Sequence, residues 1–159
     1  MISSSNLGMP GIGRKREAKR VVERFWKGEA HADEMESTLK EIRAENHRVQ
    51  KEKGIHWIPV FDMDPYDRLL RHAVMFGMVP KRFGAADRAA LDPQIYFSIP
   101  RGSDKAQACA MTKWFDTNYH CIKPEIETPL ALTRNFALEL FTEAKQLGIE
   151  PKPVLIGPL

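Results

Sequence analysis

The stretch IHWIPVFDMDPYD, residues 55–67, decides the fold class. Its first six residues are apolar and rich in strand-forming types, which predicts a buried strand. After it, Asp64 suits an N-cap, Pro65 suits the first helical position, and Asp67 suits a capping acid in the first turn. The stretch therefore predicts a strand that leads directly into a helix ending at Gly77.

The same alternation of strand and helix extends to both sides of this unit. Apolar periodicity predicts further helices over residues 14–27, 32–53 and 133–147, with a short one near 86–97. Strands are predicted over residues 118–126 and 152–158, with a weaker one over 3–9. This order is typical of α/β proteins built from parallel βα units. Four strands in one domain, residues 1–159, amount to about half of a TIM (βα)₈ barrel, so we expect a piece of a larger fold.

Composition excludes several classes of protein. With 43% hydrophobic and 28% charged residues, the chain has an ordinary globular composition. No apolar run approaches the roughly 20 residues of a membrane span, and the first residues lack the pattern of a signal peptide. We therefore expect a cytoplasmic chain that contacts no membrane. Cys109 and Cys121 form no CxxC motif, so we expect reduced cysteines.

A basic cluster, RKREAKR at residues 14–20, follows the glycine-rich segment LGMPGIG. Free N–H groups at a helix start bind anions, and neighbouring Lys and Arg side chains add charge-assisted hydrogen bonds. Neither GxxxxGK[ST] nor GxGxxG is present, which argues against a nucleotide site. The run is short and no aromatic platform follows it, which argues against nucleic acid. A solvated first helical turn remains the alternative interpretation.

Other catalytic patterns are weak. The five histidines show no HExxH or HxH spacing, and the neighbours His120 and Cys121 would point to opposite faces of a strand, so we expect no metal site. There is no GxSxG motif. Acid–base pairs could come from Asp62, Asp64 and Glu125, although a cap explains Asp64 better. Sites in this fold class lie after the strands, here residues 8–16, 61–64, 124–127 and 157–158.

The segment MTKWFDTNYH, residues 111–120, carries a resemblance to a known family. Together with LGMPGIGRKREAKR (7–20), IPVFDMDPYDRLL (58–70) and GIEPKPVLIGP (148–158), it resembles the amino-terminal domain of cobalamin-independent methionine synthase. The matching segments occur in the family's order and span nearly the whole chain.

The resemblance implies a function for a longer protein. That family transfers the N5-methyl group of 5-methyltetrahydropteroyltriglutamate to homocysteine, forming methionine, and it has two (βα)₈ barrels. The carboxy-terminal barrel holds the catalytic zinc, and the amino-terminal barrel helps bind the folate polyglutamate tail. The positions that match the family's folate-binding residues are Lys15, Arg16, Glu17, Ala18 and Lys113.

This chain contains no counterpart of the zinc ligands, so zinc, homocysteine and the catalytic residues would belong to the other domain. It also departs from the family at Gly11, usually arginine, at Phe61, commonly glycine, and at Cys121, commonly aromatic. The alternative is therefore a diverged or truncated, non-catalytic structural or interaction module. Exposed strand edges would lead such a fragment to self-associate.

Overall fold

The computed structural model describes residues 3–84 and 91–157. It divides into two compact units, Met1–Pro65 with Phe136–Leu159, and Tyr66–Asn135.

The first unit contains the parallel strands. Its elements are α1 (Glu17–Trp26), α2 (Ala32–Glu52), β1 (Ile58–Val60), α5 (Phe136–Gln146) and β4 (Pro151–Pro153). β1 pairs in parallel with β4, with Ile58 opposite Pro151, and an isolated parallel bridge joins Ser5 to Trp57. The predicted parallel arrangement is confirmed here for three segments, and the strands of the described residues do not close into a barrel.

α1 and the first half of α2 bury the faces that periodicity predicts, whereas α5 buries its predicted face only in part, with Leu147, just after the helix, 48% exposed. α1 buries Ala18, Val21, Val22 and Phe25. Beyond Ile42, however, α2 buries the polar side chains of His47 and Gln50, whereas Val49 is only partly buried. An apolar cluster of Ile58, Val60, Ala144 and Ile149 packs between the strands and α5.

The second unit contains α3 (Arg68–Met75), a 3₁₀ turn (Lys81–Phe83), α4 (Pro93–Arg101), β2 (Met111–Lys113) and β3 (His120–Ile122). The strand predicted over residues 118–126 is shorter and pairs antiparallel with β2, not parallel to β1. Residues 114–119 make a tight connection, in which Trp114 N–H donates to the Tyr119 carbonyl (2.7 Å). This turn places the two strands side by side, so the count of four parallel strands was wrong.

Several helix starts also differ from prediction, with α1 and α5 each beginning three residues later than expected. α3 begins three residues later than expected because Asp67, not Asp64, is its N-cap, with Leu70 N–H donating to Asp67 Oδ2 (2.8 Å). α4 begins at Pro93 after an Asp92 cap. The start of the helix predicted near 86–97 lies outside the described residues.

Candidate functional site

The glycine-rich loop of the first unit lies against the residues that follow β1. Met9 N–H donates to Asp62 Oδ2 (3.1 Å), and a Cβ atom at Gly8, whose φ is 129°, would overlap the Asp62 side chain. A Cβ atom at Gly11 would overlap Met63. Two of the predicted segments, residues 8–16 and 61–64, therefore meet after the parallel strands. Asp62 is bound to the loop, which leaves it less suited to the acid–base role considered for it.

The start of α1 supplies its own acceptors. Arg16 is the N-cap residue, in the left-handed conformation (φ 64°). Glu17 Oε2 accepts a hydrogen bond from Lys15 N–H (2.8 Å), and the Ile12 carbonyl accepts one from Ala18 N–H (3.2 Å). Hydrogen bonds from the backbone at Glu17 and at Lys15 lower the pKa of the Glu17 carboxyl. The expectation of free N–H groups here is thus wrong for Lys15 and Ala18.

The five cations of residues 14–20 fall into two groups. Arg14 pairs with Glu45 (2.9 Å), and Arg20 Nη2 donates to the Lys15 carbonyl (2.6 Å). The side chains of Lys15, Arg16 and Lys19 are exposed and have no hydrogen-bond acceptor within the described part of the chain. Lys19 was not predicted as a site residue from the sequence. It lies three residues after Arg16, and this helical spacing could have placed it beside Arg16.

The predicted residues Glu17 and Ala18 offer less to a ligand. The Ala18 side chain is buried in the core, and its N–H is already bonded to Ile12. Glu17 is an anion and would repel a second carboxylate. At this helix start, the positive charge available to a ligand is therefore that of the exposed cations.

Lys113 belongs to the second unit. It is the last residue of β2, lies opposite His120, and is exposed together with the rest of β2. Its ammonium group has no acceptor among the residues described in this unit. The connection that follows it, residues 114–119, presents Phe115, 69% exposed, with φ 48°. Lys113 is thus an unpaired surface cation on a short hairpin.

A buried carboxylate holds this hairpin against α3. Besides capping α3, Asp67 accepts hydrogen bonds from Ile122 N–H (3.2 Å) and from the Tyr119 hydroxyl. The Tyr119 hydroxyl in turn accepts from Arg68 N–H (3.3 Å). Burial, and next the hydrogen bond to Asp67, raise the pKa of Tyr119. Sequence reasoning explained Asp67 as a cap and missed this connection, because nothing in the spacing links residue 67 to residue 119.

Glu125, another acid–base candidate, is committed to an ion pair. Arg82 binds both of its carboxylate oxygens (2.5 and 2.8 Å), and this lowers the pKa of Glu125. Arg82 also contacts Cys109 Sγ (3.2 Å), and burial raises the pKa of that thiol to about 11. The group therefore offers neither a base nor a thiolate near neutral pH. Residues 124–127 follow β3, which pairs antiparallel with β2, so the expectation that they follow a parallel strand was wrong.

Both cysteines, Cys109 and Cys121, are free and buried. Residues 3–84 and 91–157 contain no cluster of three or more metal-binding side chains. Within the same residues, no helix combines the length and apolarity needed to cross a membrane.

The chain thus combines a parallel α/β unit bearing a cationic helix start with a second unit bearing an exposed lysine on a hairpin. Residues 3–159 match the family described as cobalamin-independent synthase, N-terminal domain, and the chain belongs to that family. It is 48% identical over 158 residues to the 5-methyltetrahydropteroyltriglutamate–homocysteine methyltransferase of Halalkalibacterium halodurans, covering 98% of this chain and 21% of that protein.

Proteins of the same name in Bacillus thuringiensis and Bacillus cereus are 46% identical over 160 residues, covering 99% of this chain and 21% of each relative. The chain therefore spans about a fifth of the length of the curated relatives it matches. The resemblance drawn from the sequence motifs is confirmed at the level of the family.

Proposed function

We propose that this chain binds the polyglutamate tail of 5-methyltetrahydropteroyltriglutamate within a cobalamin-independent methionine synthase, which transfers the methyl group to homocysteine. One observation carries the proposal. In this member of the family, the side chains of Lys15, Arg16 and Lys113 have no hydrogen-bond acceptor among the described residues. Unpaired exposed cations are the groups that a run of carboxylates would meet.

The cations would act in different ways. The planar guanidinium of Arg16 can take a carboxylate through two parallel hydrogen bonds, whereas Lys15 and Lys113 act as mobile point charges. Glu17 accepts the Lys15 N–H and so helps hold the backbone from which two of these cations project. Each exposed pair of a cation and a tail carboxylate would contribute only about 0.2–1 kcal/mol to the binding free energy. Tail affinity would therefore rise with the number of glutamates instead of depending on one contact.

Zinc does not fit the described part of this chain, because three ligands do not come together there. We therefore assign zinc, homocysteine and the methyl transfer to the remaining four-fifths of such a protein. The parallel order Ser5–β1–β4 supports the proposal that the first unit forms part of a (βα)₈ barrel. On this proposal the chain supplies binding charge in a cytoplasmic biosynthetic enzyme and contributes no catalytic residue.

Calorimetric titration of this chain with 5-methyltetrahydrofolate bearing one or three glutamates tests the proposal. We expect the triglutamate to bind about tenfold more tightly, and Lys113→Ala to remove up to about 1 kcal/mol of that difference, roughly fivefold in affinity, which is the contribution of one exposed pair. Lys40→Ala, the same change at an exposed site on α2, is the matched control. Equal binding of both ligands, unaffected by Lys113→Ala, would refute tail binding.

The second candidate function is a non-catalytic structural module, and two observations favour it. Glu17 already occupies donors at the start of α1, and Met63 fills the space beside Gly11, where the family usually has an arginine. Such a module would bind neither the monoglutamate nor the triglutamate in the titration above, even though none of its cations has been substituted.

A further inference from the structure

The β2–β3 hairpin has little apolar contact of its own. Each strand has three residues, and β2 is exposed throughout. In β3 only Cys121 and Ile122 are buried. Two-stranded hairpins of this size are marginally stable in water without further packing. The position of Lys113, at the end of β2, must therefore depend on whatever anchors β3.

Asp67 provides that anchor. It is 5% exposed, and its carboxylate is bonded to three elements at once: Leu70 N–H in α3, Ile122 N–H in β3, and the Tyr119 hydroxyl just before β3. Hydrogen bonds to a buried charged group are among the strongest in a protein, and losing one leaves a costly unpaired group.

Tyr119 connects this anchor to Lys113 through the backbone. The Tyr119 carbonyl accepts from Trp114 N–H (2.7 Å), and the next residue, His120, is the strand partner of Lys113. A displacement of Tyr119 would thus move the end of β2 as well as the start of β3. Tyr119 as a whole is 45% exposed, so removal of its hydroxyl changes the anchor more than the core.

We infer that Asp67 and Tyr119 are positioning residues that hold Lys113 in place for the carboxylates of the folate tail. This inference rests on the proposed function, and it adds two residues that are not among the positions matched to the family's folate-binding residues. Neither residue needs to touch the ligand, because both act through the backbone of the hairpin.

The first test needs no ligand. In hydrogen–deuterium exchange, Tyr119→Phe should accelerate exchange of a peptide covering residues 111–123 by at least about tenfold, as expected from losing a hydrogen bond to a charged group. Peptides from α1 should exchange as before. The matched control is Tyr66→Phe, the same chemical change at a hydroxyl with no hydrogen-bond partner among the described residues. Unchanged exchange in the hairpin of Tyr119→Phe would overturn the inference.

The second test separates positioning from general damage. Tyr119→Phe and Asp67→Asn should weaken binding of triglutamated 5-methyltetrahydrofolate severalfold and leave the monoglutamate unaffected. On a Lys113→Ala background, Tyr119→Phe should have no further effect, because the residue acts through Lys113. Additive losses, or equal losses for both ligands, would mean a merely structural role and overturn the inference.

The two proposals fail in different ways. If Lys113→Ala weakens triglutamate binding but Tyr119→Phe does not, positioning is wrong and tail binding stands. If Lys113→Ala leaves triglutamate binding unchanged, the tail assignment of Lys113 is wrong, and the inference is overturned with it even when exchange shows a loosened hairpin.

Discussion

At the scale of single residues, Phe61 shows two opposing effects at one position. It directly follows β1, its φ is 58°, and its side chain is 1% exposed. The left-handed conformation costs a residue with a Cβ atom roughly 1–2 kcal/mol. Truncation of a buried phenylalanine to alanine lowers the free energy of unfolding by about 3–5 kcal/mol. Burial outweighs strain here, which explains how phenylalanine can occupy a position where glycine is common in the family.

We expect Phe61→Gly to lower the free energy of unfolding by roughly 1–4 kcal/mol, the difference between these effects. Phe115→Gly is the matched variant, because Phe115 has a similar backbone (φ 48°) but is 69% exposed. It should change stability by less than about 1 kcal/mol or increase it. Denaturant unfolding of both variants checks this. Equal losses of stability in the two variants would show that burial of the Phe61 side chain does not outweigh its backbone strain.

His47 makes stability depend on pH. It is 3% exposed on α2. Burial lowers its pKa, more than the nearby Asp62 and Glu143 raise it, and Arg43 also acts to lower it. Below the unfolded-state pKa of about 6.5, the unfolded chain therefore binds a proton that the folded chain does not. Stability should be complete above this pH and fall as the pH decreases through it.

Denaturant unfolding at pH 7.5 and 5.5 tests this expectation. The parent chain should lose stability on acidification, at a slope of at most about 1.4 kcal/mol per pH unit for one proton. His47→Gln should lose less. His56→Gln, at an exposed histidine, should retain the parent's slope. An unchanged slope in His47→Gln would exclude His47 as the cause.

At the scale of elements, an ion pair joins α2 to α5. Arg43 binds both carboxylate oxygens of Glu143 (3.0 and 3.1 Å), and the two side chains are only 14% and 20% exposed. Removing one partner of a largely buried pair leaves an uncompensated charge. The pair therefore matters more than the exposed pair between Lys145 and Glu150, 44% and 52% exposed.

We expect Glu143→Gln to destabilise the chain by roughly 1–3 kcal/mol, and Glu150→Gln by less than about 1 kcal/mol. Thermal or denaturant unfolding of the two variants measures the difference. Similar effects of the two substitutions would indicate that Arg43 finds another acceptor when Glu143 is neutral.

Periodicity predicted elements well where one face is buried. α1 and α2 lie within one to three residues of their predicted limits, since apolar spacing directly reflects burial on a helix. Prediction failed where tertiary partners decide. Local sequence favoured Asp64 as the N-cap and Asp67 as an acid of the first turn, whereas in the structure Asp67 is the N-cap and also accepts hydrogen bonds from Ile122 and Tyr119.

At the scale of the whole molecule, β4 lies at an edge of the parallel strands that the structure describes. Ile58 N–H donates to the Glu150 carbonyl, and Val154 N–H donates to the Val60 carbonyl, so residues 150 and 154 face β1. Because successive residues of a strand face opposite ways, Pro151 and Pro153 face the outer edge, where neither offers an N–H donor. This edge is therefore a poor template for pairing with another copy.

Self-association of the chain stays a prediction, and this edge gives it a direct test. Pro153→Val would restore an outward N–H donor and should increase concentration-dependent association in sedimentation velocity relative to the parent chain. Val154→Thr, which leaves the outward donors unchanged, is a control. No increase in Pro153→Val would show that association does not proceed through this edge.

The sequence by itself determined the family, the parallel βα character of the first unit, and the cations available to a ligand, because motif order, apolar periodicity and charge are local properties. Only the tertiary structure decided which of these cations are paired, which aspartate caps α3, and that residues 111–122 form an antiparallel hairpin. The choice of cap and the pairing of Arg14 depend on contacts between distant residues, Asp67 with Tyr119 and Arg14 with Glu45, and local spacing carries no information about them. The hairpin pairs residues close in sequence, but the contact of Ile122 with Asp67 that holds it against α3 is again distant.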